Sequence, residues 1–279
     1  MSAQPLAAEA GWSAELRLTF APSAERSVPR ERWHRGPLTV QRPFYPEGEV
    51  CHVYLLHPPG GVVGGDRLDI RVRSLTGAHA LVTTPAATKF YRSAGPLARQ
   101  TQSLYVAPGA TLEWLPQETL LFGGCEVETT TRIELEGDAR FIGWEVLVLG
   151  RRATGDAYAA GRCRSAFELW RDGAPLLIER SRFVAGDPML AGDWGLAGHP
   201  VSASMMITGV DRSLTARMRE TVVVGAAERL GVTLLGDVLA CRYLGAQPER
   251  AREVFASIWT LVRPEVLGRP ACAPRIWNT

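Results

Sequence analysis

Period-two patterning governs the first two hundred residues of this chain. Leu16, Leu18 and Phe20 alternate with Glu15, Arg17 and Thr19, and Leu68, Ile70 and Val72 with Asp69, Arg71 and Arg73. The same rhythm sets Thr131, Ile133 and Leu135 against Thr130, Arg132 and Glu134, and Cys163, Ser165, Phe167 and Leu169 against Arg162, Arg164 and Glu168. Successive strand residues point to opposite faces, so each run predicts a strand with one buried face. Turn signals stand between the runs: Ala107-Pro108-Gly109, Glu136-Gly137-Asp138 and Arg171-Asp172-Gly173. This spacing belongs to an all-β sandwich, barrel or solenoid. No strict internal repeat is present, which argues against a regular propeller.

Helical signals come late. Asp211 or Ser213 can cap a helix running through Met218 and Val222. A second helix is written by Ala251, Val254, Phe255, Ile258, Trp259 and Val262 at helical spacing, with Pro264 expected to stop it. No linker divides the chain. Its 279 residues, 46% hydrophobic, read as one domain: a β body over about 14–210 and a helical part over about 211–279.

Composition excludes several classes. No apolar run is long enough to span a bilayer, and Met1–Ala10 lacks the basic and apolar regions of a secretory leader. Five scattered cysteines without a C-x-x-C pair argue against a disulfide frame or structural zinc and point to a reducing, cytoplasmic setting. Net charge is only +2, with interspersed signs, which is no footprint for nucleic acid. Of the 31 basic residues a single one, Lys89, is lysine.

One stretch is a shaped loop: His57-Pro58-Pro59-Gly60-Gly61-Val62-Val63-Gly64-Gly65-Asp66. Its glycines and prolines rule out a helix or an ordinary strand, and such loops carry function more often than packing. It lacks the lysine of a phosphate-binding loop and does not match G-x-G-x-x-G. His52 and His57 lie five apart, on opposite sides of a strand, and make a poor metal pair.

The carboxylates carry more chemistry. Glu145 interrupts the apolar run Phe141–Gly150, and Glu179 follows Leu176-Leu177-Ile178. Each either points outward beside an arginine or is buried with a partner. In the second case Asp66, Glu145 and Glu179 could line a path for a hard or borderline cation, with Lys89 as counter-charge. Trp114 reads as core. Trp259 and Trp277, near Arg263 and Arg275, read either as helix packing or as interface anchors.

Five segments in this order resemble one family: HPPGGVVGGD (57–66), TTPAATKFYRS (83–93), LEWLPQETLLFGG (112–124), GWEVLVLGR (143–151) and PRIWNT (274–279). They are similar to the urease accessory protein UreD, also called UreH, over nearly the whole chain. The resemblance implies a mainly β fold, β-helix-like stacked strands with two α-helices near the C-terminus. It implies a non-enzymatic scaffold that binds apo-urease on one side and UreF on the other, UreF recruiting the GTPase UreG. It implies no tightly bound cofactor, only transient Ni²⁺, for which a conduit through the β body would suit the carboxylate path. The matched segments make His57, Gly60, Gly61, Gly64, Gly65, Lys89, Tyr91 and Arg92 candidate functional residues. Trp259, Arg263, Arg275 and Trp277 fall in the part expected to face UreF. Two rivals come from other classes. A β-helix carbohydrate-active enzyme would need a dense acid/base cluster, and a nickel store would need His- or Cys-rich tracts.

Overall fold

The computed structural model describes residues 11–278. Met1–Ala10, read above for a leader, and Thr279, the last residue of PRIWNT, lie outside the described residues. The alternating runs become strands that wind into a coil. A hairpin opens the chain, β1 (Ser13–Ser23) and β2 (Arg26–Arg35), followed by the short β3 (Thr39–Val40). Winding then begins: β4 (Cys51–Leu56), β5 (Arg67–Ser74), β6 (His79–Thr83), β7 (Thr88–Phe90), β8 (Ala98–Val106), β9 (Thr111–Leu115), β10 (Thr119–Leu121), β11 (Glu126–Leu135) and β12 (Arg140–Leu149).

Equivalent strands of successive turns stack in parallel. One wall pairs β1, β5, β8 and β11, and a second pairs β4, β6, β9 and β12. A narrow third wall runs through the Val62–Phe90 bridge, β7, β10 and the end of β12. The predicted turns close the coil. The Gly109 amide donates to Asp138 Oδ1 at 2.7 Å and the Gly137 amide to Asp172 Oδ1 at 3.0 Å, so each turn is clasped by the next.

Beyond the coil the chain doubles back. β13 (Arg162–Arg171) adds to β11 in parallel, and β14 (Ala174–Val184) closes that seven-stranded wall as an antiparallel edge. After the single-turn α1 (Pro188–Ala191), β15 (Val201–Thr208) pairs antiparallel with β12. Next come α2 (Arg212–Thr221), the hairpin β16 (Arg229–Leu235) and β17 (Val238–Gly245), and α3 (Pro248–Leu267). Asp211 caps α2 as expected, its Oδ1 accepting from the Leu214 amide at 2.8 Å.

Two expectations are corrected here. The segment from 211 is not wholly helical, because β16 and β17 extend the second wall between the helices. Val238–Cys241 is buried on both faces, so no alternation marks it as strand. Nor does Pro264 stop α3, which runs to Leu267 and ends at Gly268 with φ +65°. Proline forfeits one helical hydrogen bond, and the helix is held there by the buried Val262 and Arg263.

The second wall is covered twice. Its inner face, including Leu112, Trp114, Phe141 and Leu147, fills the coil. Its outer face, including Leu81, Ile142, Trp144 and Met205, packs under α3 through Val254, Phe255 and Ile258. Arg263, fully buried, pins that roof. Its Nε meets Glu113 Oε2 at 3.0 Å, its Nη1 meets Glu47 Oε2 at 2.7 Å, and Nη1 also donates to the Pro270 carbonyl. Trp259 Nε1 donates to Glu113 at 2.6 Å, and His79 Nε2 shares that carboxylate at 2.7 Å. Burial alone would raise the Glu113 pKa, but His79 and Arg263 outweigh it and hold the carboxyl at about 2, against 4.5 for an ordinary glutamate.

Removing Arg263 takes the guanidinium from the buried Glu113 and the half-buried Glu47, leaving each, among the described residues, only a histidine as ion-pair partner, so R263A should lose about 3–5 kcal/mol in urea unfolding. Because the Glu113 pKa is depressed, its contribution is complete above pH 4.5 and drains as pH falls towards 2. Unfolding curves taken across that window should therefore fall more steeply for the natural chain than for E113Q.

Candidate functional site

The glycine-rich loop lies flat against the segment after β7, and its glycines are there for contact. A Cβ on Gly61 would stand 2.0 Å from the Tyr91 ring, and one on Gly64 would stand 2.1 Å from Ser93 Oγ. Gly60 and Gly65 take φ of +76° and +95°, which other residues adopt only under strain. Asp66 is the clasp of this loop. It is buried, accepting from the Val63 amide at 3.0 Å and the Trp12 amide at 3.3 Å. Arg92 packs against Gly124, the corresponding glycine of the next turn. His57 sits beside the Trp12 ring, where burial lowers its pKa and the Asp66 charge partly restores it.

Inside the coil lies a cavity of about 230 Å³. His57, Gly60 and Lys89 line one side of it, and Glu145 lines it as well. Among the described residues Lys89 has no ion-pair partner. The cavity exists because the inward face of the first wall turns polar at its middle. In register, Gln100 stands beside Thr129, Thr129 beside Ser165 and Ser165 beside Ser181. In the next inward position Gln102 stands beside Thr131, and Thr131 Oγ1 donates to Gln102 Oε1 at 2.6 Å. The Thr129 hydroxyl is buried with no partner among the described residues. These hydroxyl and amide groups form a ladder along the coil axis, flanked by the apolar Leu68, Ile70 and Trp114.

The ladder ends on carboxylates. Ser165 Oγ donates to Glu145 Oε1 at 3.0 Å, and Glu179, on the inward parity of β14, accepts from Arg242 Nε at 2.5 Å. Burial pushes the Glu145 carboxyl up to about 7; the Ser165 hydrogen bond opposes this and the nearby Glu179 charge adds to it. Glu145 is thus poised between neutral acid and carboxylate near neutral pH.

Sequence reading named Asp66, Glu145 and Glu179 together. The structure brings Glu145 and Glu179 into one locus with the unforeseen Ser165 and Arg242, and sets Asp66 apart in its loop. Tyr91 is partly exposed, its ring 5.1 Å from that of Phe122. Trp259 and Arg263 are 1% and 0% exposed. As interface anchors they are corrected, since a side chain with no surface cannot meet a partner. Trp277 docks inward too, donating to Thr83 Oγ1 at 3.0 Å with its ring 5.6 Å from Trp144. Arg275 remains exposed. The ladder residues had a signal in the sequence: Gln100, Gln102, Thr129 and Thr131 fall on the inward parity of strands β8 and β11, whose other inward residues are apolar.

Among the described residues no group of three or more His, Cys, Asp or Glu is placed to hold a metal ion, and no helix is long and apolar enough to cross a membrane. A family model described as UreD urease accessory protein matches residues 13–278. The chain belongs to the UreD family. Its curated relatives bear the same name. Urease accessory protein UreD of Pseudomonas fluorescens strain Pf0-1 is 47% identical, covering 96% of this chain and 95% of its own length. Those of Dechloromonas aromatica and Alcanivorax borkumensis are 46% and 44% identical, each over 96% of this chain and over 95% and 93% of their own lengths. As a UreD protein the chain is a non-enzymatic accessory protein, not the carbohydrate-active enzyme that its architecture alone left open.

A raised carboxyl has a defined stability signature. Between pH 4.5 and 7 the folded chain keeps a proton on Glu145 that the unfolded chain has lost, so stability falls as pH rises through this window. E145Q should remove the slope. Its thermal midpoint should exceed that of the natural chain at pH 8 and equal it at pH 4.

Proposed function

We propose that this chain is a scaffold of urease maturation that holds nickel-free urease on one flank and its loading partners on the other, and passes Ni²⁺ along its interior. UreF and, through it, UreG are the partners this reading assigns. The cytoplasm is the compartment it assigns, in keeping with the free thiols of all five cysteines. The observation that carries the reading is the axial ladder of Gln100, Thr129 and Ser165, beside Gln102 and Thr131, leading to Glu145 and Glu179 in a coil filled elsewhere mainly by apolar side chains.

The chemistry suits a travelling ion. Ni²⁺ here is cargo, and cargo must leave. Neutral hydroxyl and amide oxygens can exchange with the ion's water shell without trapping it, whereas a cage of histidine or thiolate would retain it. Glu145 and Glu179 supply charge at one end of the ladder. Glu145 can lose its proton as a cation arrives, so the empty interior need not hold an unpaired buried charge. Glu179 is paired with Arg242, which a divalent ion would displace. Asp66 and the glycines contribute differently: they fix the loop beside which His57 and Lys89 line the cavity.

The test is a plug. In cells expressing the urease genes, S165L, or T129F on the same row, should lower urease activation about tenfold or more while nickel-free urease still co-purifies with the chain. E179A should behave in the same way. Full activation by the plugged variants would overturn the interior route, and loss of co-purification with lost activation would move the defect to assembly.

A further inference from the structure

On the first wall, β11, β13 and β14 form a groove of about 430 Å³, lined by outward residues and bordered by Thr129, Ser165 and Ser181 of the inward row. Arg164, Arg180 and Arg182 line it, with Ala166 as the small residue in its floor. Arg164 and Arg182 stand directly opposite each other in the β13–β14 register. Like charges so placed are destabilising, yet among the described residues neither guanidinium has an acceptor. Arg180 differs, being engaged with Glu168 at 2.8 Å. The groove also borders an edge. β14 ends its sheet, and its outer row of backbone groups has no strand partner among the described residues. An unpaired edge is a template for another strand.

We propose that the β14 edge and the Arg164–Arg182 groove bind an extended protein segment bearing carboxylates at alternate positions. Alternation follows from the parity of β14. Its outward Arg182, with Arg164 opposite it, would meet acidic side chains, whereas its inward Glu179 would repel them, so the intervening positions must be neutral. Charge complementarity selects protein over nucleic acid. Glu128 and Glu168 share the groove with the arginines and would oppose a continuous polyphosphate. The proposal rests on the outward arginines and the β14 edge, not on the ladder hydroxyls, and its failure would leave the proposed nickel route untouched.

The probe is a fluorescein-labelled decapeptide of alternating Glu and Thr, titrated into the full chain by fluorescence anisotropy. It should bind, and more weakly as salt rises from about 0.05 to 0.5 M. R164Q/R182Q should weaken it about tenfold or more, whereas R71Q, on the same face outside the groove, should not. A166E keeps both arginines and gives them an internal acceptor; it too should abolish binding. Absence of binding, binding that survives R164Q/R182Q or A166E, or equal binding of a single-stranded oligonucleotide of the same charge would each overturn the proposal.

Discussion

The buried guanidinium of Arg263 is the constraint around which the C-terminal half is organised. A charge with no exposed surface is tolerable only if its donors are met, and the carboxylates that meet them come from distant places. Glu113 lies on a central strand of the second wall and Glu47 in the chain just before the coil begins winding. One side chain thus fixes the register of α3 on the sheet, the path of the chain into β4 and the start of the tail at Pro270. Replacing the whole cluster with apolar residues could give similar stability, but it would not specify one seating so sharply. The aromatic packing of Trp144, Phe255, Trp259 and Trp277 then closes over a helix already placed.

This roof also explains how the coil tolerates a polar interior. A β-coil normally derives its stability from a continuous apolar filling. Here Gln100, Gln102, Thr129, Thr131 and Ser165 occupy inward positions in the middle of the first wall. The second wall compensates by burying its other face as well, beneath α3. Two partial cores stand in place of one complete core, and the polar gap falls on the wall that has no roof.

Much of this was written in the sequence, and the failures have physical causes. Half-buried strands announced themselves by alternation, and the Pro-Gly and Asp-Gly turns appeared where expected. β17 escaped because a strand buried on both faces has no alternation to detect. Pro264 misled because local propensity favours a stop while a distant carboxylate pair holds the helix on course. Glu145 could be flagged as a charge in an apolar run, but its inward direction depended on the frame of β12. Glu179 and Arg242 are 63 residues apart in sequence, and nothing local joins them. Trp259 and Arg263 have the composition of an interface hot spot, and burial by their own chain uses the same chemistry.

The aspartate clasps that stitch one turn to the next carry a geometric consequence. Each stacked strand advances the coil by about 4.8 Å, and a clasp can form only between whole neighbouring turns. The span between the two ends of the coil is therefore quantised: evolution can lengthen or shorten it by an entire winding, never by a residue. A spacer built in this way works as a ruler, and whatever docks at its extremities must be cut to the same gauge.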